Sequence, residues 1–241
     1  MPIAIAMTTT TTIIMNIKPA DLLRLQSWLS PTFPIGAFSY SHGLEYAVEA
    51  GLVHDRASLI DWLEADLRHG SGRNEVIFLA SAMAADDAVF LSVAELAAVS
   101  FASSELALEG LSQGEAFLLT VMRAWPNDAV SARRNLLREA DIAPSLAIAM
   151  AMACAGHGIE PAAVLPLYLQ AWLANLINAA VRLVPLGQTD GQLAQAAMED
   201  AVMSMAQQAR SAGPDDLGSA AVMVDWASMQ HENQYTRLFR S

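Results

Sequence analysis

The sequence predicts an all-α fold, a single globular multi-helix domain of about ten helices, on three observations. Apolar residues recur with a period near 3.6 through almost every segment. Alternating β-branched runs are nearly absent, and the segments are filled with Ala, Leu, Met, Glu and Gln, all good helix formers. The 241 residues suffice for a sizeable core, and neither an internal repeat nor a Pro/Ser-rich linker divides them.

The elements follow in order. Residues 1–19 are threonine-rich, without helical period or a basic stretch ahead of their apolar residues, and read as a flexible leader, not a secretory signal. The helical domain is expected over 20–227 and a C-terminal docking tail over 228–241. A first helix runs from Ala20 to Leu29 and is stopped by Pro31. An irregular loop follows, shaped by Pro31, Pro34 and Gly36, before helix resumes over 41–50. Asp55 caps a helix over 56–69, and Gly70 and Gly72 break it. The helix over 74–85 should stop at Asp86 and Asp87, which are unfavourable at a carboxyl end. Ser92 and Glu95 have capping-box spacing for a short helix ending near Ala102. Helices over 104–125 and 129–139 follow, the first closed by Pro126. Pro144 suits the first turn of the next helix, which ends before Gly156. Pro161 opens the longest apolar segment, reaching Leu183. Thr189 and Gln192 suggest a capping box for one helix over 190–209, and a last short helix covers 219–229.

Composition narrows the function. Hydrophobic residues make up 54 % of the chain and charged ones 16 %, against about a quarter in ordinary soluble proteins. So few charges point to surface that partners cover. A formal charge of −12 makes nucleic acid a poor partner and favours basic proteins or cations. The lone cysteine, Cys154, rules out an internal disulfide framework and fits a reducing, cytoplasmic setting. Residues 161–181 carry no charge and are long enough to span a bilayer. Pro166, Gln170, Asn175 and Asn178 interrupt them without flanking Lys or Arg clusters, so a buried central helix is the expectation.

The chain offers little for catalysis. It has no GxSxG, no HExxH, no glycine-rich phosphate loop and no evident pair of catalytic carboxylates, so no enzyme activity, catalytic residue or cofactor is expected. Cys154 and His157 are three apart and suit a soft metal ion, which leaves a small-ligand or metal-binding enzyme as the alternative. The pair supplies only two ligands in an apolar run, and a buried cysteine beside a helix-end histidine reads better. No metal ligands are therefore assigned.

Two segments carry the candidate binding residues. Around the first loop stand Pro34, Gly36, Phe38, Ser39, Tyr40, His42 and Glu45. Rings pointing inward would buttress the helix entry; rings pointing outward would make a preorganised docking surface. The closing stretch holds His231, Glu232, Tyr235, Arg237, Leu238, Phe239 and Arg240. Arginine and aromatic side chains suit a docking peptide, while Leu238 and Phe239 equally suit a groove on the chain's own body. Either way the end should contribute little core. Arg73, Asn74 and Glu75 read as local capping at a helix start.

Three stretches together resemble the UreF family of urease accessory proteins: LLRLQSWLSPTFPIGAFSYSHGLEYAVEAGLV (22–53), NAAVRLVPLGQTDGQ (178–192) and MQHENQYTRLFRS (229–241). Their order and spacing match, and the likeness runs over nearly the whole chain after the first twenty residues. The resemblance implies a non-catalytic all-helical scaffold that forms a homodimer and binds UreD (UreH in some species), which contacts the urease apoenzyme. It also implies recruitment of the nickel-carrying GTPase UreG for nickel insertion into the metallocentre. By likeness, the tail from His231 to Arg240 would engage UreD, and the surface from Gly36 to Glu45 would lie near the dimer or the UreG contact.

Overall fold

A computed structural model describes residues 17–241; the expected leader over 1–19 falls almost entirely outside them. Among the described residues the chain forms twelve α-helices and no strand. They are α1 (Pro19–Trp28), α2 (Leu44–Glu49), α3 (Arg56–His69), α4 (Ser71–Ala84), α5 (Asp87–Val99) and α6 (Ser104–Ala124), then α7 (Asp128–Glu139), α8 (Leu146–Gly156), α9 (Pro161–Leu183), α10 (Gln188–Ala197), α11 (Glu199–Ala209) and α12 (Val222–His231).

The centre is α8. Its apolar side chains leave no polar face, and every residue from Ala147 to Cys154 is buried. A helix apolar all round must be enclosed, and α6 and α4 flank it more extensively than any other pair of helices. Gly114 of α6 permits the approach: a Cβ there would lie 2.2 Å from the Pro144 carbonyl oxygen. Trp28 of α1 and Phe117 of α6 close one end of this core with an edge-to-face contact at 6.1 Å.

The uncharged segment is α9. It is long and apolar enough to cross a membrane by length and composition, yet half of its most apolar window is buried inside the protein. It packs against α10, α11, α4 and α2, as a core helix does.

Three local expectations are corrected. Asp86 opens a helix instead of ending one: its carboxylate accepts the Val89 N–H at 3.0 Å, so α5 starts at Asp87 and Ser92 lies inside it. Pro144 precedes the first turn of α8, whose cap is Ser145. The helix expected over 190–209 is two, because the chain turns at buried Met198. There the Asp190 carboxylate, not Thr189, meets the Gly187 N–H that opens α10. The cluster at 73–75 does more than cap. Arg73 reaches the Asp216 carbonyl, Asn74 accepts the Gly218 N–H, and Glu75 accepts the Tyr168 hydroxyl, tying α4 to α9 and to the 213–221 joint.

Candidate partner-binding site

The first loop divides its rings between the two readings. Phe33 and Tyr40 are buried, and Phe33 lies 5.2 Å from Phe117. Phe38, in a single 3₁₀ turn over Ala37–Ser39, stands out with 69 % of its surface exposed, and Pro34 is also exposed. The loop ends in two consecutive left-handed residues, His42 (φ 55°) and Gly43 (φ 75°). A Cβ on Gly43 would lie 2.5 Å from the Ser228 nitrogen, so only glycine lets α2 and α12 meet here. That turn delivers His42 and Glu45 to the interior.

The tail lies back on the body through a clasp of buried carboxylates. Glu45 of α2 accepts the backbone N–H groups of Leu238 (2.6 Å) and Phe239 (2.8 Å) and faces His231 Nε2 at 3.3 Å. The other ring nitrogen of His231 meets Glu105 of α6 at 2.6 Å, and Arg237 donates to the same carboxylate at 2.5 Å. Glu232 accepts from the Ser104 N–H at the start of α6 (2.9 Å) and its carboxyl is held below its usual range by the Ser104 contacts. The Ser241 hydroxyl donates to Glu109, the Ser41 N–H donates to the Ser241 backbone oxygen at 2.7 Å, and Arg240 N–H donates to the Ser39 carbonyl. The expectation of a chain end with little core is therefore overturned: Phe239 is only 4 % exposed, and His231 and Ser241 are buried. Main-chain donors at 238 and 239 needed an acceptor, and Glu45 supplies both oxygens.

With the tail so held, the candidate residues separate into two sets. His231, Phe239, Tyr40 and Glu45 are buried and His42 is mostly so; these shape the surface. Tyr235 is fully exposed, Leu238 more than half, and Phe38, Glu232, Arg237 and Arg240 also face outward. Val222, Met223, Trp226 and Met229 of α12, just ahead of the tail in the chain, are also exposed apolar residues.

Sequence reasoning missed Glu105, Glu109 and Arg182. Glu105, Glu109 and Gln113 fall at four-residue spacing on α6, a polar stripe beside buried Leu106 and Phe117; the stripe is visible in the sequence, but it reads there as the wet side of an amphipathic helix. Arg182 of α9 donates to the Phe38 carbonyl at 3.0 Å and stacks over the Phe239 ring at 4.4 Å, bridging loop and tail.

His42 Nε2 pairs with Glu109 at 2.9 Å. Burial opposes its charge, but the Glu109 charge and hydrogen bond, with help from Asp66 and Glu75, push its pKa up to about 9. Burial also raises the carboxyls of Asp66 and Glu75. A histidine pKa raised on folding stabilises fully below its unfolded value near 6.5 and loses that contribution as pH rises through the folded one. We expect roughly 3 kcal/mol of stability to fade between about pH 6.5 and 9. An NMR titration of the His42 ring with a midpoint near 6.5 would contradict this.

Cys154 and His157 sit in different surroundings. Cys154 is wholly buried, and burial drives its thiol far above the ordinary range. The His157 ring packs on Trp28 at 5.5 Å, its pKa lowered by burial and by Arg24. No group of three or more His, Cys, Asp or Glu among the described residues is placed to hold a metal ion.

The chain is similar in sequence to known proteins over most of its length. The UreF family model matches residues 53–199. A urease accessory protein UreF from Rhodopseudomonas palustris (strain BisB5) is 49 % identical over 228 residues, 93 % of each chain. Those from Bradyrhizobium diazoefficiens and Magnetococcus marinus are 45 % and 44 % identical, over 93 % and 92 % of this chain and 93 % and 98 % of their own. A match of this extent, on an all-helical body with its loop and tail joined, means that the chain belongs to the UreF family of urease accessory proteins and serves urease maturation without catalysis of its own.

Proposed function

We propose that this protein is the cytoplasmic adaptor that joins UreD (UreH) and the GTPase UreG to apo-urease for nickel insertion, working as a homodimer within that assembly. Its exposed tail surface, Tyr235, Leu238, Arg237 and Arg240, takes UreD. The rim from Pro34 to Ser39 faces the dimer or UreG contact. Nickel passes along the assembly without a tight site in this chain, and the acidic balance of −12 favours basic partners.

One observation carries the reading. Aromatic and aliphatic side chains stand in solvent on a tail whose backbone is pinned by the buried Glu45 carboxylate, so binding costs little further ordering. The double variant Tyr235→Ala/Leu238→Ala truncates one fully exposed side chain and one that is more than half exposed. It should abolish co-purification with UreD while leaving the melting temperature within about 2 °C, because neither side chain is core. Undiminished capture of UreD would refute the assignment.

A further inference from the structure

A cavity of about 450 Å³ lies between α4, α6, α9 and α12, with the joints at 100–102 and 217–219 in its wall. That volume is in the range of small-molecule sites. Phe78, Phe101, Leu106 and Leu146 give it an apolar body. The ionisable side chains that line it are His42, Glu75, Glu109, Tyr168 and Asp225. His42, charged at neutral pH, and Glu109 match one another at 2.9 Å, and Glu109 also accepts from Gln113 and Ser241.

Two carboxylates are left over. Glu75 and Asp225 form no ion pair among the described residues. One oxygen of each is engaged by a neutral donor, Glu75 Oε2 by the Tyr168 hydroxyl at 2.6 Å and Asp225 Oδ2 by the Ser219 hydroxyl at 2.5 Å. The second oxygen of each meets no donor in the protein, yet both residues are only partly buried and these oxygens keep contact with solvent. An anion in the cavity would meet both charges, and a neutral molecule would leave them unmatched. A metal ion would need further ligands, and among the described residues no third His, Cys, Asp or Glu joins this pair to hold one. An ammonium or amidinium group brings positive charge and N–H donors together, and its hydrocarbon part can rest on the apolar body.

We propose that this cavity binds a small organic cation, a nitrogen base with an apolar body, whose charged head is matched by Glu75 and Asp225. The site is independent of the UreD surface, since none of Tyr235, Arg237, Leu238 and Arg240 lines the cavity.

2-Phenylethylammonium, 2-phenylethanol and 3-phenylpropanoate share one hydrocarbon body and differ in the head, so ligand-observed NMR titrations of the full chain with each separate the charge classes. The ammonium should bind saturably and roughly tenfold more tightly than the alcohol, with the propanoate weakest. Asp225→Asn and Glu75→Gln keep an oxygen for Ser219 and Tyr168 but remove the charge, and each should weaken the ammonium about fivefold. Glu139→Gln, at an exposed carboxylate away from the cavity, should leave binding unchanged, which separates the site from the general pull of an acidic protein. Ser100→Trp, at an exposed lining position, should block the cavity without altering the core, and stands in should a carboxylate variant fail to fold. The proposal is overturned if the folded protein shows no saturable binding of the ammonium, if the alcohol or the propanoate binds as tightly, if the folded cavity variants bind it as the parent does, or if Glu139→Gln weakens it as much as they do.

Discussion

Glu45→Ala should cost about 3–4 kcal/mol and lower the melting temperature by roughly 10 °C. The carboxylate accepts from Leu238 N–H and Phe239 N–H and faces His231, so its removal strands three buried polar groups at once. The damage should be directional. With its anchor gone, the segment from Arg237 to Ser241 should swing free and take Phe239 out of the core. Trypsin then reports the release, since Arg237 and Arg240 lie in that segment and would be cleaved many times faster. UreD capture should fall with it, because Leu238 would no longer be held in place. Circular dichroism melting with timed proteolysis checks both parts; an unchanged melting temperature and digestion rate would show the clasp to be ornamental.

Gly43→Ala should be more damaging still, at about 4 kcal/mol or more. The new methyl would meet the nitrogen and Cα of Ser228 at 2.5 and 2.6 Å and the Ala227 carbonyl carbon at 2.8 Å. All three are backbone atoms, so no rotamer change can relieve the overlap, and α2 must part from α12. The buried Ser103–Ser228 hydroxyl contact at 2.6 Å would go with it. Gly36→Ala is the matched control: its φ of 74° is the same kind of strain, but nothing lies within 4 Å of the added carbon. It should cost only about 1 kcal/mol. Equal melting temperatures for the two variants would remove the steric account and leave only backbone strain.

Helices with unambiguous ends were legible from sequence. Asp55 and Gly70 bound α3 at Arg56–His69, and Pro161 and Pro185 bound α9, whose observed span ends at Leu183. Ambiguity entered where one residue type serves two roles. Asp86 is poor at the end of α4 yet good at the start of α5, and only the fold decides which helix it belongs to. The candidate site was half legible. Its residues were named, but whether the tail left or rejoined the body depended on pairings such as Glu45–Phe239 and Glu105–Arg237, which span 194 and 132 positions. No local pattern encodes such a pairing. Glu105 and Glu109 were passed over because the helix pattern around them reads as ordinary amphipathic sequence, and their burial is set by the elements that close over them.

The enclosure of α8 has a practical consequence. A helix without a solvent face cannot fray on its own, so the amide hydrogens from Ile148 to Cys154 trade with deuterium only when the whole globule opens. Their exchange rate then measures the total free energy of unfolding. The amides of Leu238, Phe239 and Arg240, bonded to Glu45 and to the Ser39 carbonyl, sample the smaller energy of local opening, and the two rates taken together separate a variant that loosens the tail from one that weakens the protein.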